Sequence, residues 1–374
     1  MKQRTFNILL TVLFCLFIGG MFLGSILLPD RTFSQLENRN LAAAPKLSWE
    51  TVTTGTFMED AEDYVNDQII GRDFWVALKA WSERVSGKQE NNGVYFAEED
   101  TLISRVDTPS QSDLEENAGY VNALVNNVDV PVYFGIIPSA AEIWSYRLPE
   151  GAPTADEKAI IDRLYNEVQT HTIDLYSALA QHKDEGIYYR TDHHWTSLGA
   201  YYGYTALMDA MGLEAVPLDE SQKVTVSENF YGTLFSSSGV RWLPPDHIDR
   251  YISDEGVTVT AYPNGTPEPG SLYVDSYLEV KDKYSSFLGG NKPLCVIETE
   301  HTDAPKVLVI RDSYADSLAP FLTQNFSEIH LFDPRMNLTS VKDYVVQNEI
   351  DSVVVLYSIS NFFAKGSQLF VLGG

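Results

Sequence analysis

Four short, almost wholly apolar runs constrain this chain more than any other feature: "VPVYFGIIP", "KVLVI", "EIHLF" and "DSVVVLY". A strand that is apolar on both sides must be covered on both faces, and amphipathic stretches between the runs provide the cover. Helical patterns are read in "DLEENAGYVNALVNNV", "ADEKAIIDRLYNEVQTHT", Ala178 to His182, Ser197 to Met211 and "SVKDYVVQNE", with further strands at "IDLY" and "GIYY". The alternation predicts an α/β fold built on a parallel sheet flanked by helices. Between about residues 213 and 303 the rhythm is lost. Gly, Pro, Ser and Asp cluster there, which predicts an insertion of short strands and loops over one end of the sheet.

The 374 residues leave room for one large domain and an appendage. Lys2 and Arg4 precede an apolar run from Phe6 to Leu28 that is long enough to cross a bilayer as a helix. It lacks a short apolar region and a small-x-small exit, so residues 1–29 are read as an uncleaved membrane anchor; cleavage would make the body a secreted protein. Basic residues ahead of the span and an acidic body behind it place residues 30–374 outside the cytoplasm. Residues 30–90 read as a juxtamembrane linker followed by two helices, and 91–374 as the catalytic domain.

A formal net charge of −26 excludes a nucleic-acid partner, since affinity for phosphate backbones comes from Lys and Arg displacing counterions. With one cysteine in the apolar span (Cys15) and one in the body (Cys295), neither an intramolecular disulfide nor a thiolate metal cluster is expected. No cofactor is expected, and a Gly-rich phosphate loop is absent.

Ligands of open parallel sheets gather at the carboxyl ends of the strands. Ser313 follows "KVLVI", Arg335 follows "IHLFD" and Asn361 follows "VVVLY". Ser313 could be presented there as a nucleophile, although Asp312 or Ser313 could equally be a helix N-cap. "TDHHW", residues 191–195, supplies the rest of a catalytic arrangement, because a serine nucleophile needs a base and the base needs a carboxylate. In an extended segment Asp192 and His194 share a side and His193 faces away, which also argues against a two-histidine metal site. A third reading has Asp192 capping the helix that begins at Thr196, with the histidines packed beneath it.

"TDHHWTSLGAYYGY" together with "KVLVIRDSYADSLAPFL" resembles the DHHW protein family, which is similar to the SGNH-hydrolase-like proteins of alginate O-acetylation. "LENRNLAAAPKLS", "YVNDQIIGRDFW", "IIPSAAEIW" and "FLGGNKPL" extend the resemblance over most of the chain. It implies an SGNH-like fold in which Ser313 is the nucleophile, His194 the base and Asp192 the orienting acid. Arg311 stands where the wider SGNH pattern has glycine, and the glycine-x-asparagine block appears only as "SISN". Candidates for the oxyanion hole are therefore the Ser313 N–H, Arg335, Asn361, Gly290 and Asn291.

The expected function is O-acetylation of an exported polysaccharide through an acyl-serine, beside a multipass membrane O-acyltransferase that supplies acyl groups. An acetylesterase would use the same residues with water as acceptor, and a non-catalytic carbohydrate-binding or assembly protein would keep only the fold. Arg241, Arg311 and Arg335 are the expected cations near the active end, and Tyr231, Trp242 and Tyr314 the expected aromatic platforms for sugar rings.

Overall fold

The computed structural model describes residues 3–373, which divide into two compact units: residues 3–88 with 236–242, and residues 89–235 with 243–373. In the first unit the helix Gln3–Leu27 is long and apolar enough to cross a membrane, and none of its residues is buried. Three helices follow rather than the two expected: Trp49–Thr54, Thr56–Gln68 and Arg72–Val85. Residues 30–50 are also more ordered than a linker. Phe33–Ser34 pairs with Arg39–Asn40, and the Arg39 guanidinium forks onto buried Asp67 at 2.8 and 2.5 Å. A two-residue ladder and a few ion pairs leave no hydrophobic periodicity to read, which is why the sequence reads there as a linker.

The second unit is an α/β fold around one sheet. Among the described residues that sheet has eight strands, in the order Glu268–Pro269, Thr258–Ala261, Leu294–Glu298, Glu328–Phe332, Lys306–Arg311, Ser352–Ser358, Val132–Ile137, His171–Thr172. The last five run parallel, and Ser352–Ser358 is buried along its whole length, as its unbroken apolar run requires. Helices cover the sheet with their apolar stripes. Gln111–Asn127 starts at a capping box made by Ser110 and Asp113 and buries Leu114, Ala118, Val121 and Leu124.

The first three strands add an antiparallel edge to the expected parallel sheet. They come from the inserted segment and extend the sheet antiparallel at its edge, while Val224–Phe230 and Asp246–Arg250 form a separate hairpin. "GIYY" is not a sheet strand and contributes only the bridge Tyr188–Trp195. The helix expected through Thr172 ends at Glu167, releasing His171–Thr172 to pair with Tyr133–Phe134 at the other edge. "IDLY" is not a strand either: Asp174 caps the helix Leu175–Gln181, which takes in its last two residues.

Just past the strand Val132–Ile137, Ser139 donates through its N–H (2.7 Å) and Oγ (2.5 Å) to the carboxylate of Glu157, which is fully buried. Burial pushes Glu157 up from its ordinary 4.5 to about 7, against the two Ser139 hydrogen bonds, and neighbouring Glu142 adds repulsion. Because the folded-state value is the higher one, this group's stabilisation is complete below the unfolded value and is lost as pH rises through 7. Glu157→Gln is therefore expected to gain on the wild type as pH rises, by up to about 3 kcal/mol at pH 9. Urea unfolding of the detergent-solubilised chain at pH 5 and pH 9 measures this, and parallel pH dependences of variant and wild type would refute it.

Candidate active site

The chain leaves the strand Lys306–Arg311 toward Glu328–Phe332 on one side, and leaves Val132–Ile137 toward His171–Thr172 on the other. Connections that diverge in this way open a crevice at the carboxyl ends of the strands between them. Three segments meet there: Asp312–Tyr314, Ser358–Asn361 and Ser139–Ala141. From these segments Tyr314, Asn361 and Ser139–Ala141 line, with Asp192, His193 and Leu234, a cavity of about 140 Å³; neither Ser313 nor His194 is on its wall. A cleft of about 480 Å³ elsewhere in this unit, over Trp144, Arg190 and Tyr251, is lined by none of Ser313, His194 and Asp192.

Ser313 sits in the turn between its strand and the helix Ala315–Leu322. The Asp312 carboxylate, fully buried, shapes that turn. One oxygen accepts the Tyr314 N–H at 3.0 Å; the other accepts from Ser358 N (2.9 Å), Ser358 Oγ (2.6 Å) and Asn361 Nδ2 (2.8 Å). Asp312 thus ties two strand ends together rather than capping a helix. The Ser313 N–H has no protein acceptor among the described residues; one Nδ2 hydrogen of Asn361 is engaged by Asp312.

Residues 189–194 form a tight loop closed by the bridge Tyr188–Trp195, not an extended strand. Within it the Asp192 Oδ1 accepts both the backbone N–H (3.0 Å) and the Nδ1 (2.6 Å) of His194, whose Nε2 lies 2.8 Å from Ser313 Oγ. Asp192 Oδ2 accepts from the N–H and Oγ1 of Thr233 at 2.7 and 3.0 Å. Burial alone would raise the Asp192 pKa, but His193, His194 and the Thr233 N–H hold it well below the usual carboxylate range. Asp192 does not cap the next helix; Thr196 does, accepting from Gly199 N at 3.2 Å.

The loop geometry also corrects the placing of His193. Its ring lies 3.9 Å from that of His194, centroid to centroid, and its Nδ1 is 2.7 Å from Thr233 Oγ1. The two imidazoles therefore do not diverge, and donor atoms of Asp192, His193 and His194 lie within 4.8 Å of one another, close enough to hold a metal ion. Both Nδ1 atoms are nevertheless engaged by protein partners.

Sequence reasoning missed the parts that hold the base. Tyr284 stacks on His194 at 3.8 Å with an interplanar angle of 8°, and its hydroxyl donates to Ser313 O at 3.0 Å. Trp195 is fully buried and donates from Nε1 to Tyr314 O (2.9 Å) and Ser317 Oγ (3.0 Å). It fits because Gly199 and Gly203 present no side chain: a Cβ at Gly203 would stand 2.7 Å from the indole ring. Gly232 serves Asp192 in the same way, since a Cβ there would meet the carboxylate at 2.3 Å. Glycines four apart beside a tryptophan are a readable signal; the partners from residues 232, 233 and 284 are not, being far away in sequence.

Several expected contributors are committed elsewhere. Arg335 donates to Asp333 at 2.8 and 2.6 Å. The Gly290 N–H is bonded to Phe287 O at 3.2 Å, and Asn291 Oδ1 accepts from Arg311 at 2.7 Å. Arg311 is fully buried, paired at 3.0 Å with Asp316, whose pKa burial raises to about 6 against that pairing. Neither Arg311 nor Tyr314, which is buried with its hydroxyl on His193 O, is an exposed contact for a polymer. Arg241 and Trp242 belong to the other compact unit, and Tyr231 packs on Phe235.

A mostly parallel sheet thus presents a serine at a strand end, and an Asp-x-His pair reaches it from a separate loop. The chain belongs to the DHHW protein family, whose model matches residues 110–332, a span that contains Asp192, His193, His194, Trp195 and Ser313. A DHHW family protein from Eubacterium siraeum is 27% identical with a TM-score of 0.66, over 75% of this chain and 95% of its own. Bacillus cereus PatB1, seen with a sulfonyl adduct, is 20% identical with a TM-score of 0.63, over 74% of this chain and 98% of its own; that likeness concerns the fold. No curated protein matches the chain.

Proposed function

We propose that this protein is a membrane-anchored O-acetyltransferase acting outside the cytoplasm on an exported polysaccharide. One observation carries the reading: His194 touches the Asp192 carboxylate through Nδ1 and the Ser313 hydroxyl through Nε2, at 2.6 and 2.8 Å. Asp192 holds the proton on Nδ1, so Nε2 offers its lone pair to the serine. Ser313 Oγ attacks the carbonyl carbon of an acyl donor while His194 Nε2 takes its proton and returns it to the leaving oxygen. A sugar hydroxyl then gives its proton to Nε2 as its oxygen takes the acetyl group, and Nε2 passes that proton to the departing Ser313 Oγ, which regenerates the serine. The Ser313 N–H and Asn361 are the proposed oxyanion donors. Residues 6–28 are the proposed anchor, and a multipass membrane O-acyltransferase the proposed source of acyl groups.

A net charge of −26 disfavours a polyanionic acceptor, and the committed state of Arg311 and Arg335 removes two cations that would mask it. Neutral hexose oligosaccharides are therefore expected to be acetylated in preference to matched uronates. Mass spectrometry after incubation with the detergent-solubilised chain and a small acetyl ester measures this. Preferential uronate acetylation at physiological salt would overturn the charge argument; free acetate with no acetylated sugar would identify an esterase.

A further inference from the structure

His193 plays no part in the acyl chemistry just described, yet its tautomer is set by the same carboxylate. Asp192 carries no proton, so the single hydroxyl proton of Thr233 goes to Asp192 Oδ2. Thr233 Oγ1 is left as an acceptor, and the atom that can donate to it is His193 Nδ1. The proton of His193 therefore lies on Nδ1, and Nε2 is a bare lone pair, as it is on His194. Burial and the adjacent His194 lower the pKa of His193, with Asp192 opposing, so the ring stays neutral near pH 7. Asp192 thus orients two imidazoles, one directly and one through a threonine.

The two bases differ in what they face. His194 Nε2 is on Ser313, whereas His193 Nε2 has no protein partner among the described residues, and its half-buried ring lines the cavity of about 140 Å³ with Asn361, Ser139 and Leu234. One hydroxyl has one proton, so the reacting hydroxyl cannot serve both rings at once.

We propose that His193 Nε2 accepts a hydrogen bond from a second hydroxyl, vicinal to the one being acetylated, so that the site selects a vicinal diol as acceptor. The inference rests on the acetyltransferase reading and specifies its acceptor. Neighbouring hydroxyls of one sugar ring suit two acceptor nitrogens carried on rings 3.9 Å apart. No covalent change occurs at His193; its role is to orient the acceptor so that its partner hydroxyl meets His194.

The test compares trans-1,2-cyclohexanediol with cyclohexanol as acceptors for acetyl from a nitrophenyl ester, with the ratio of their transfer rates taken within each variant of the full chain. In the wild type the diol is expected to lead by at least about tenfold. In His193→Ala the ratio is expected to fall toward two, the statistical value for two hydroxyls, and in His193→Gln, whose amide oxygen is again an acceptor, to recover in part. Melting curves and active-serine labelling confirm that each variant is folded. A wild-type ratio near two, or an unchanged ratio in His193→Ala, would overturn the inference. Failure of the wild type to form acetyl-Ser313 would instead overturn the acetyltransferase reading.

Discussion

Ser313→Ala is expected to abolish covalent labelling by a sulfonyl fluoride and to lower turnover of a chromogenic acetyl ester by roughly 10⁴-fold or more, the scale of loss when a serine nucleophile is removed. The physical ground is the contact of Ser313 Oγ with His194 Nε2 at 2.8 Å, in a turn that buried Asp312 shapes. Alanine keeps the backbone of the turn, its free N–H and the Asp312 bonds, so the variant should melt with the wild type. Loss of activity with unchanged melting is the expected pair of results. Labelling of Ser313→Ala at the wild-type rate would show that another residue is the nucleophile. Activity removed by a chelator and restored by zinc would move the chemistry to a metal held by the Asp-His-His loop.

Trp195→Ala should be the most damaging change to stability, at about 3–5 kcal/mol, as for other buried tryptophan truncations. The indole is fully buried, rests on Gly199 and Gly203, and closes two hydrogen bonds to the turn and helix that follow Ser313. Removing it opens a cavity that the glycines cannot refill and leaves Tyr314 O with only the longer bond from Ser317 Oγ at 3.4 Å. Trp195→Phe keeps much of the volume and loses only the donor, so a cost nearer 1–2 kcal/mol is expected. Chemical denaturation of both variants tests this; equal midpoints for Trp195→Ala and the wild type would exclude Trp195 as the clamp. Because Trp195 adjoins His194 in sequence, surviving activity in Trp195→Ala should fall with the folded fraction.

The elements that could be read from sequence were those whose environment is uniform. "SVVVLYS" has to be a central strand because its residues are apolar or small, and the helix Ser197–Met211 follows from its periodicity. Edge elements escape such a reading for a physical reason. His171–Thr172 extends a helix-like pattern, yet pairs with Tyr133–Phe134; a two-residue strand carries no periodicity, and the neighbouring strand decides it. The inserted segment was legible as short strands, but sequence could not say whether they would cover the sheet or lengthen it. That choice depends on which edge of the sheet lies open.

The candidate site divides along the same line. Sequence alone determined which chemical groups are available: an aspartate two residues from a histidine, a serine at the end of an apolar strand, an acidic body and an apolar span. All of these are local properties of residue type and spacing. Tertiary structure decided their relations. It bent residues 189–194 into a loop so that His193 stays beside His194, brought Thr233 and Tyr284 from distant segments to fix the two imidazoles, and consumed Arg311, Arg335 and Gly290 in pairings of their own. A hydrogen bond needs its partners in place within a few tenths of an ångström, and for residues forty to more than a hundred positions apart only the packed sheet and its covering helices provide that placement.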